Sequence, residues 1–114
     1  MQPTVAQRIG HIATAISDIR KISAGQTRES FANSLVMRMA VERMLEIISE
    51  ASRHIPQDLK AQEPGINWRR VADLGNWLRH AYHSTDADLL WAMVEDDLEL
   101  LNVFVERIAK EAKY

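Results

Sequence analysis

Apolar residues recur along this chain at three- and four-residue steps, and that period belongs to helices rather than strands. Thr4 followed by Gln7 has the pattern of a capping box, in which each side chain serves the other residue's amide, so a first helix opens there. Ile9, Ile12, Ile16, Ile19 and Ile22 then share one face, and Gly25 ends the segment. A second and longest helix is predicted from about Glu29 to His54, with Phe31, Leu35, Met39, Met44, Ile47, Ile48, Ala51 and Ile55 on a broad apolar face. Pro56 stops it, because proline cannot donate to the helical ladder, and IPQDLKAQEPG is the connector.

Asn67 is placed to cap a third helix that runs to about His83. Thr85 with Asp88 repeats the capping-box pattern and opens a fourth, ending near Lys110 and carrying Leu89, Leu90, Met93, Val94, Leu98, Leu101, Phe104, Val105 and Ile108. No internal repeat or alternating strand pattern interrupts this order. The economical fold is all-α, an up-and-down four-helix bundle, with residues 1–114 forming one domain.

The third helix holds the densest chemistry. On a wheel of about 100° per residue, Val71, Leu74, Gly75, Leu78 and Tyr82 make an apolar stripe. Arg69, Asp73, Asn76, His80 and His83 make a polar one, with Arg79 at its edge. Imidazole, guanidinium and carboxamide groups along one stripe suit phosphodiester chemistry. A histidine titrates near neutrality and can exchange a proton with a ribose 2′-hydroxyl. An arginine can hold a phosphate through two parallel hydrogen bonds. Asn76, one turn before His80, is placed to orient its ring. The bland alternative is that the stripe is simply a solvated face, and that Trp77 and Tyr82 are core or rim aromatics.

Other polar groups promise less. His80, His83 and Asp86 are too loosely spaced for the usual zinc patterns, so no metal and no cofactor is expected. His11 and His54 stand alone, as surface or helix-end residues do, and Glu42, Glu46 and Glu50 read as a solvated or arginine-pairing row.

Composition narrows the partners. With 46% hydrophobic and 26% charged residues the chain is an ordinary globular one. Its net charge of −2 supplies no global field for nucleic acid, so any RNA contact must come from a local cluster. The lack of cysteine removes disulfides and thiolate sites and fits a reducing, cytoplasmic setting. No stretch approaches the roughly 20 apolar residues of a membrane span, and MQPTVAQRIG has no secretion-signal core. Trp77, Leu78 and their apolar neighbours exceed the needs of a thin core, which predicts a two-fold dimer burying more than ~1,000 Å².

Leu45 to Ala51, then Pro64, Ile66 and Trp68, then Asn76, His80, Tyr82, Asp86 and Trp91, resemble the HepT-like HEPN family in order and spacing, over roughly Phe31 to Leu101. Ser49 stands where that family has glycine. The resemblance implies a homodimer with a composite cleft and a metal-independent endoribonuclease activity. It also implies a small nucleotidyltransferase antitoxin as partner, which silences the ribonuclease toxin by transferring AMP to a tyrosine. Carried onto this chain, His80 is the proton-transfer residue and Tyr82 the acceptor of AMP. One position departs. Gly75 stands five residues before His80, where the resemblance puts the motif arginine, and the nearest arginine is Arg79. The residues expected to act are therefore His80 and Arg79, with Asn76 and His83 in support. Two rivals stay open: a non-cleaving helical module that keeps the dimer and the nucleotidyltransferase partner, and an accessory domain that binds a mononucleotide in the same cleft.

Overall fold

Helix α1, Val5–Ser23, begins where Thr4 and Gln7 exchange their predicted bonds, the Thr4 amide donating to Gln7 Oε1 at 2.8 Å and the Gln7 amide to Thr4 Oγ1 at 3.1 Å. It ends at Gly25, whose φ of 73° lies in the left-handed region that glycine enters without a Cβ clash. The computed structural model describes residues 2–79 and 87–111, with Arg79 given by its backbone alone.

The long second helix of the sequence reading is two helices. Five-residue α2, Arg28–Ala32, gives way at Asn33, and Ser34 caps α3, Leu35–Ser52, by accepting the Met37 amide at 3.1 Å. The break frees Phe31 to turn inward, where it is fully buried against Trp91, with ring centroids 5.2 Å apart. It also leaves Leu35 and Met39, expected on the apolar face, 60% and 57% exposed.

One-turn α4, Gln57–Lys60, lies within the connector, and α5 follows as Trp68–Arg79. The last stretch is α6, Ala87–Ala92, a π-helical turn at Met93–Asp97, and α7, Leu98–Glu111. The described residues form helices and no strands, an all-helical arrangement compatible with a HEPN bundle.

α1 packs between α3 and α7, and α3 in turn packs on α5. Ile12, Ile16 and Ile19 of α1 meet Val41, Leu45 and Ile48 of α3 and Leu101, Phe104 and Ile108 of α7 in one continuous core. Burying a side chain of this size contributes roughly 1.5–3 kcal/mol, so the α1 stripe alone is a major source of stability.

Candidate functional site

The polar face of α5 was the candidate site, and three sets of contacts fix that helix. At its start, Asn67 Oδ1 accepts the Arg70 amide at 3.0 Å, which is the predicted cap. Trp68 rests its ring against Phe104, centroids 4.9 Å apart, and its indole N–H donates to the carbonyls of Lys60 and Glu63 at 3.1 and 3.3 Å. Lys60 lies 5.7 Å over the same ring, and partial burial lowers its pKa.

In the middle, α5 is bonded sideways to α3. Ser49 Oγ donates to the Ala72 carbonyl at 2.9 Å and accepts the Gly75 amide at 2.9 Å. Ser49, Ser52 and Gly75 are all buried. A hydroxyl reaches two backbone groups of another helix only when the axes run close, which small residues allow. That supplies the reason for a glycine inside a helix, where it costs roughly 0.5–1 kcal/mol relative to alanine. One turn beyond Ser49, Arg53 joins the same carbonyl, donating to Ala72 O from Nε at 3.2 Å and from Nη2 at 2.9 Å.

On the opposite flank, Arg70 Nη2 lies 2.9 Å from Asp97 Oδ2 in the π turn. Burial raises the Asp97 pKa above its ordinary 3.8; the Arg70 charge pulls it down and Asp96 adds to the rise. Leu74, Trp77, Leu89 and Met93 wall an apolar groove beside Arg70, about 290 Å³ in volume and open to solvent.

The predicted stripes hold as far as α5 is described. Val71, Leu74, Gly75 and Leu78 are buried, while Arg69, Asp73 and Asn76 are exposed. Arg69 and Asp73 form a surface pair at 3.8 Å. Leu78, expected among the surplus apolar groups of a dimer face, belongs instead to the core of its own chain, whereas Trp77 stays 39% exposed. Asn76 is the one expected site side chain within reach of description. Arg79 closes α5, and His80, Tyr82, His83 and Asp86 lie outside the described residues. Among the described residues, no group of three histidine or acidic side chains is arranged to hold a metal ion.

Sequence reasoning missed Arg53 and the two hydrogen bonds of Ser49. The signal that existed was the four-residue spacing of Ser49 and Arg53 on α3, flanking Ser52.

The model of the family "Ribonuclease HepT-like" matches residues 12–108 of this chain. The chain belongs to that family. Among its relatives, a protein of Thermococcus cleftensis named "Probable ribonuclease HepT" is 38% identical over 99 residues, which are 87% of this chain and 90% of the relative. A protein of Methanocaldococcus jannaschii named as a "Putative RNase" is 35% identical over 95 residues, 83% of this chain and 87% of the relative. No solved structure matches the chain. Among the described residues, no helix is long and apolar enough to cross a membrane.

Proposed function

We propose that this chain is a metal-independent endoribonuclease, the toxin of a HEPN/nucleotidyltransferase pair, acting in the cytoplasm as a homodimer. The observation that carries this reading is the family match over residues 12–108, joined to an α5 whose polar face is open while its apolar face is locked to α3. In the proposed reaction the ribose 2′-oxygen attacks the adjacent phosphorus and the 5′-oxygen leaves. His80 takes the 2′-hydroxyl proton as general base and hands it to the departing 5′-oxygen as general acid, giving a 2′,3′-cyclic phosphate and a 5′-hydroxyl. Arg79 steadies the charge that builds on phosphate, and Asn76 and His83 hold the histidine in place.

Leu35, Val36 and Met39, exposed together at the start of α3, support the dimer, since a cluster of exposed apolar side chains marks a protein contact more than single ones do. Tyr82 is the proposed acceptor of AMP from the nucleotidyltransferase antitoxin. A bulky anion there would block substrate phosphate by size and charge.

One observation favours a second reading, a dimerising module that no longer cleaves. Position 75 is buried against α3 with its amide on Ser49, and a glycine brings no side chain to a phosphate. The deciding experiment is cleavage of single-stranded RNA in EDTA. Wild type should cut and His80→Ala should not, with the helical circular-dichroism spectrum unchanged. A wild-type protein inert on RNA overturns the ribonuclease reading.

A further inference from the structure

Gly75 leaves the face of α5 without a guanidinium of its own, and α3 brings one to that face. Arg53 lies at the end of α3 with its side chain exposed, yet it is held in a fixed direction. Nε–H and one Nη2–H both point at the Ala72 carbonyl, at 3.2 and 2.9 Å, so the side-on edge of the fork is taken. Ser49 Oγ donates to that oxygen too, and the double anchor fixes where α3 and α5 meet.

A guanidinium has five N–H donors, and two of those of Arg53 are used on Ala72. Three remain, and none has a partner among the described residues. They include the end-on edge, one hydrogen each on Nη1 and Nη2, whose spacing matches two oxygens of a phosphate. The neighbouring acid forms no ion pair with it among the described residues. Glu50 is engaged by His54, with Nε2 to Oε1 at 3.1 Å, and that hydrogen bond is the main cause of its lowered pKa, Arg53 contributing less. On the helix wheel Ala72 lies between Gly75 of the apolar stripe and Asn76 of the polar one, so the anchor sits at the border of the two faces.

We infer that Arg53 is a phosphate-binding residue for RNA, presenting the free edge of its guanidinium from α3 to the polar face of α5 beside Gly75. It supplies from the neighbouring helix the fixed cation that position 75 lacks. The inference rests on the ribonuclease reading for its substrate class, but binding and cleavage can be tested apart.

The test uses the full-length protein and a short, fluorescent single-stranded RNA, 2′-O-methylated throughout so that no 2′-hydroxyl can attack. Binding is measured by anisotropy across a series of salt concentrations. Arg53→Gln keeps an amide able to donate to Ala72 but loses the charge. It should weaken binding about ten- to a hundredfold, the range expected for a charge-assisted hydrogen bond. It should also flatten the slope of log K against log salt by about 0.7, the value for one phosphate contact on a single strand. Arg53→Lys should keep the slope and lose part of the affinity. Ser49→Ala, which loosens the helix contact and leaves the charge, should keep the slope as well.

An unchanged slope in Arg53→Gln overturns the inference, leaving Arg53 as a helix tie only. So does a slope that falls equally in Ser49→Ala, because the loss would then follow from the contact between helices. If wild type binds with the Arg53-dependent slope but cuts no unmodified RNA, the phosphate site stands and the ribonuclease reading falls. If Arg53→Gln cuts as fast as wild type with the same slope, the opposite holds.

Discussion

The two flanks of α5 are held by different chemistry. Toward α3 the contact is made of small residues and short backbone-directed bonds: Ser49 to Ala72 and Gly75, Arg53 to Ala72. Toward the π turn, among the described residues, it is an ion pair, Arg70 with Asp97, with an apolar groove beside Arg70. The first flank ties Ser49 and Arg53 directly to the backbone of α5 at 2.9–3.2 Å and has no slack. The second keeps a carboxylate where burial works against its charge, and leaves room beside it. A helix seated this way has one face whose position is set by geometry and another that can adjust.

The sharpest way to break this contrast is to fill the tight flank. Ser49→Leu removes two hydrogen bonds and adds bulk where the helices are closest, so unfolding in urea should show a loss of about 3 kcal/mol. A loss under about 1 kcal/mol would mean the flank is loose. On the other side, Arg70→Ala strands a partly buried carboxylate and should cost about 1–2 kcal/mol. Arg70→Ala combined with Asp97→Ala should cost less than the two changes added together, which a double-mutant cycle measures.

Acid separates two carboxylates by sign. Glu50 has a lowered pKa in the fold, so its contribution is present above its unfolded value of 4.5 and is lost as the pH falls through the lower folded one. Asp97 has a raised pKa, so its ionised form is a burden at neutral pH that lifts as the pH falls toward 3.8. Asp97→Asn should therefore gain on wild type at neutral pH and lose that gain in acid, while Glu50→Gln should be weaker than wild type at neutral pH and converge with it. Urea midpoints across the carboxylate range decide; matching trends for both variants would contradict the assignment. The smallest effect on folding belongs to the groove. Trp77→Ser should change the stability of the isolated chain by less than about 1 kcal/mol but shift sedimentation toward monomer if Trp77 lies in the proposed two-fold contact.

Much of this was legible in the sequence because helices announce themselves by period and caps. The α1 isoleucines, the Thr4–Gln7 box and the Asn67 cap all stand where the pattern puts them. The break between α2 and α3 was hidden, since Phe31, Leu35 and Met39 keep a four-residue step across it; only Ser34, a good capping residue in mid-segment, hinted otherwise. The π turn left no periodic trace, because Val94 and Leu98 keep a four-residue step across it. In the candidate site, the two faces of α5 were readable from its own residues, but Arg53 was not. Its place is set by how closely α3 and α5 approach, a distance between two segments that no wheel drawn on one of them contains.

The connector between α3 and α5 has a consequence for motion. It looks like a loop by composition, yet Trp68 holds the carbonyls of Lys60 and Glu63, and Arg107 of α7 reaches Gln62 Oε1 at 2.8 Å and Glu63 Oε1 at 3.4 Å while lying 5.8 Å over the Phe104 ring. These ties join the segment to the innermost layer of the protein. Its hydrogen-bonded amides, such as those of Ala61 and Glu63, should exchange with deuterium as slowly as their neighbours in α7, opening with that helix as one cooperative unit. A protease that cuts loops should find this one closed for as long as α7 stays in place.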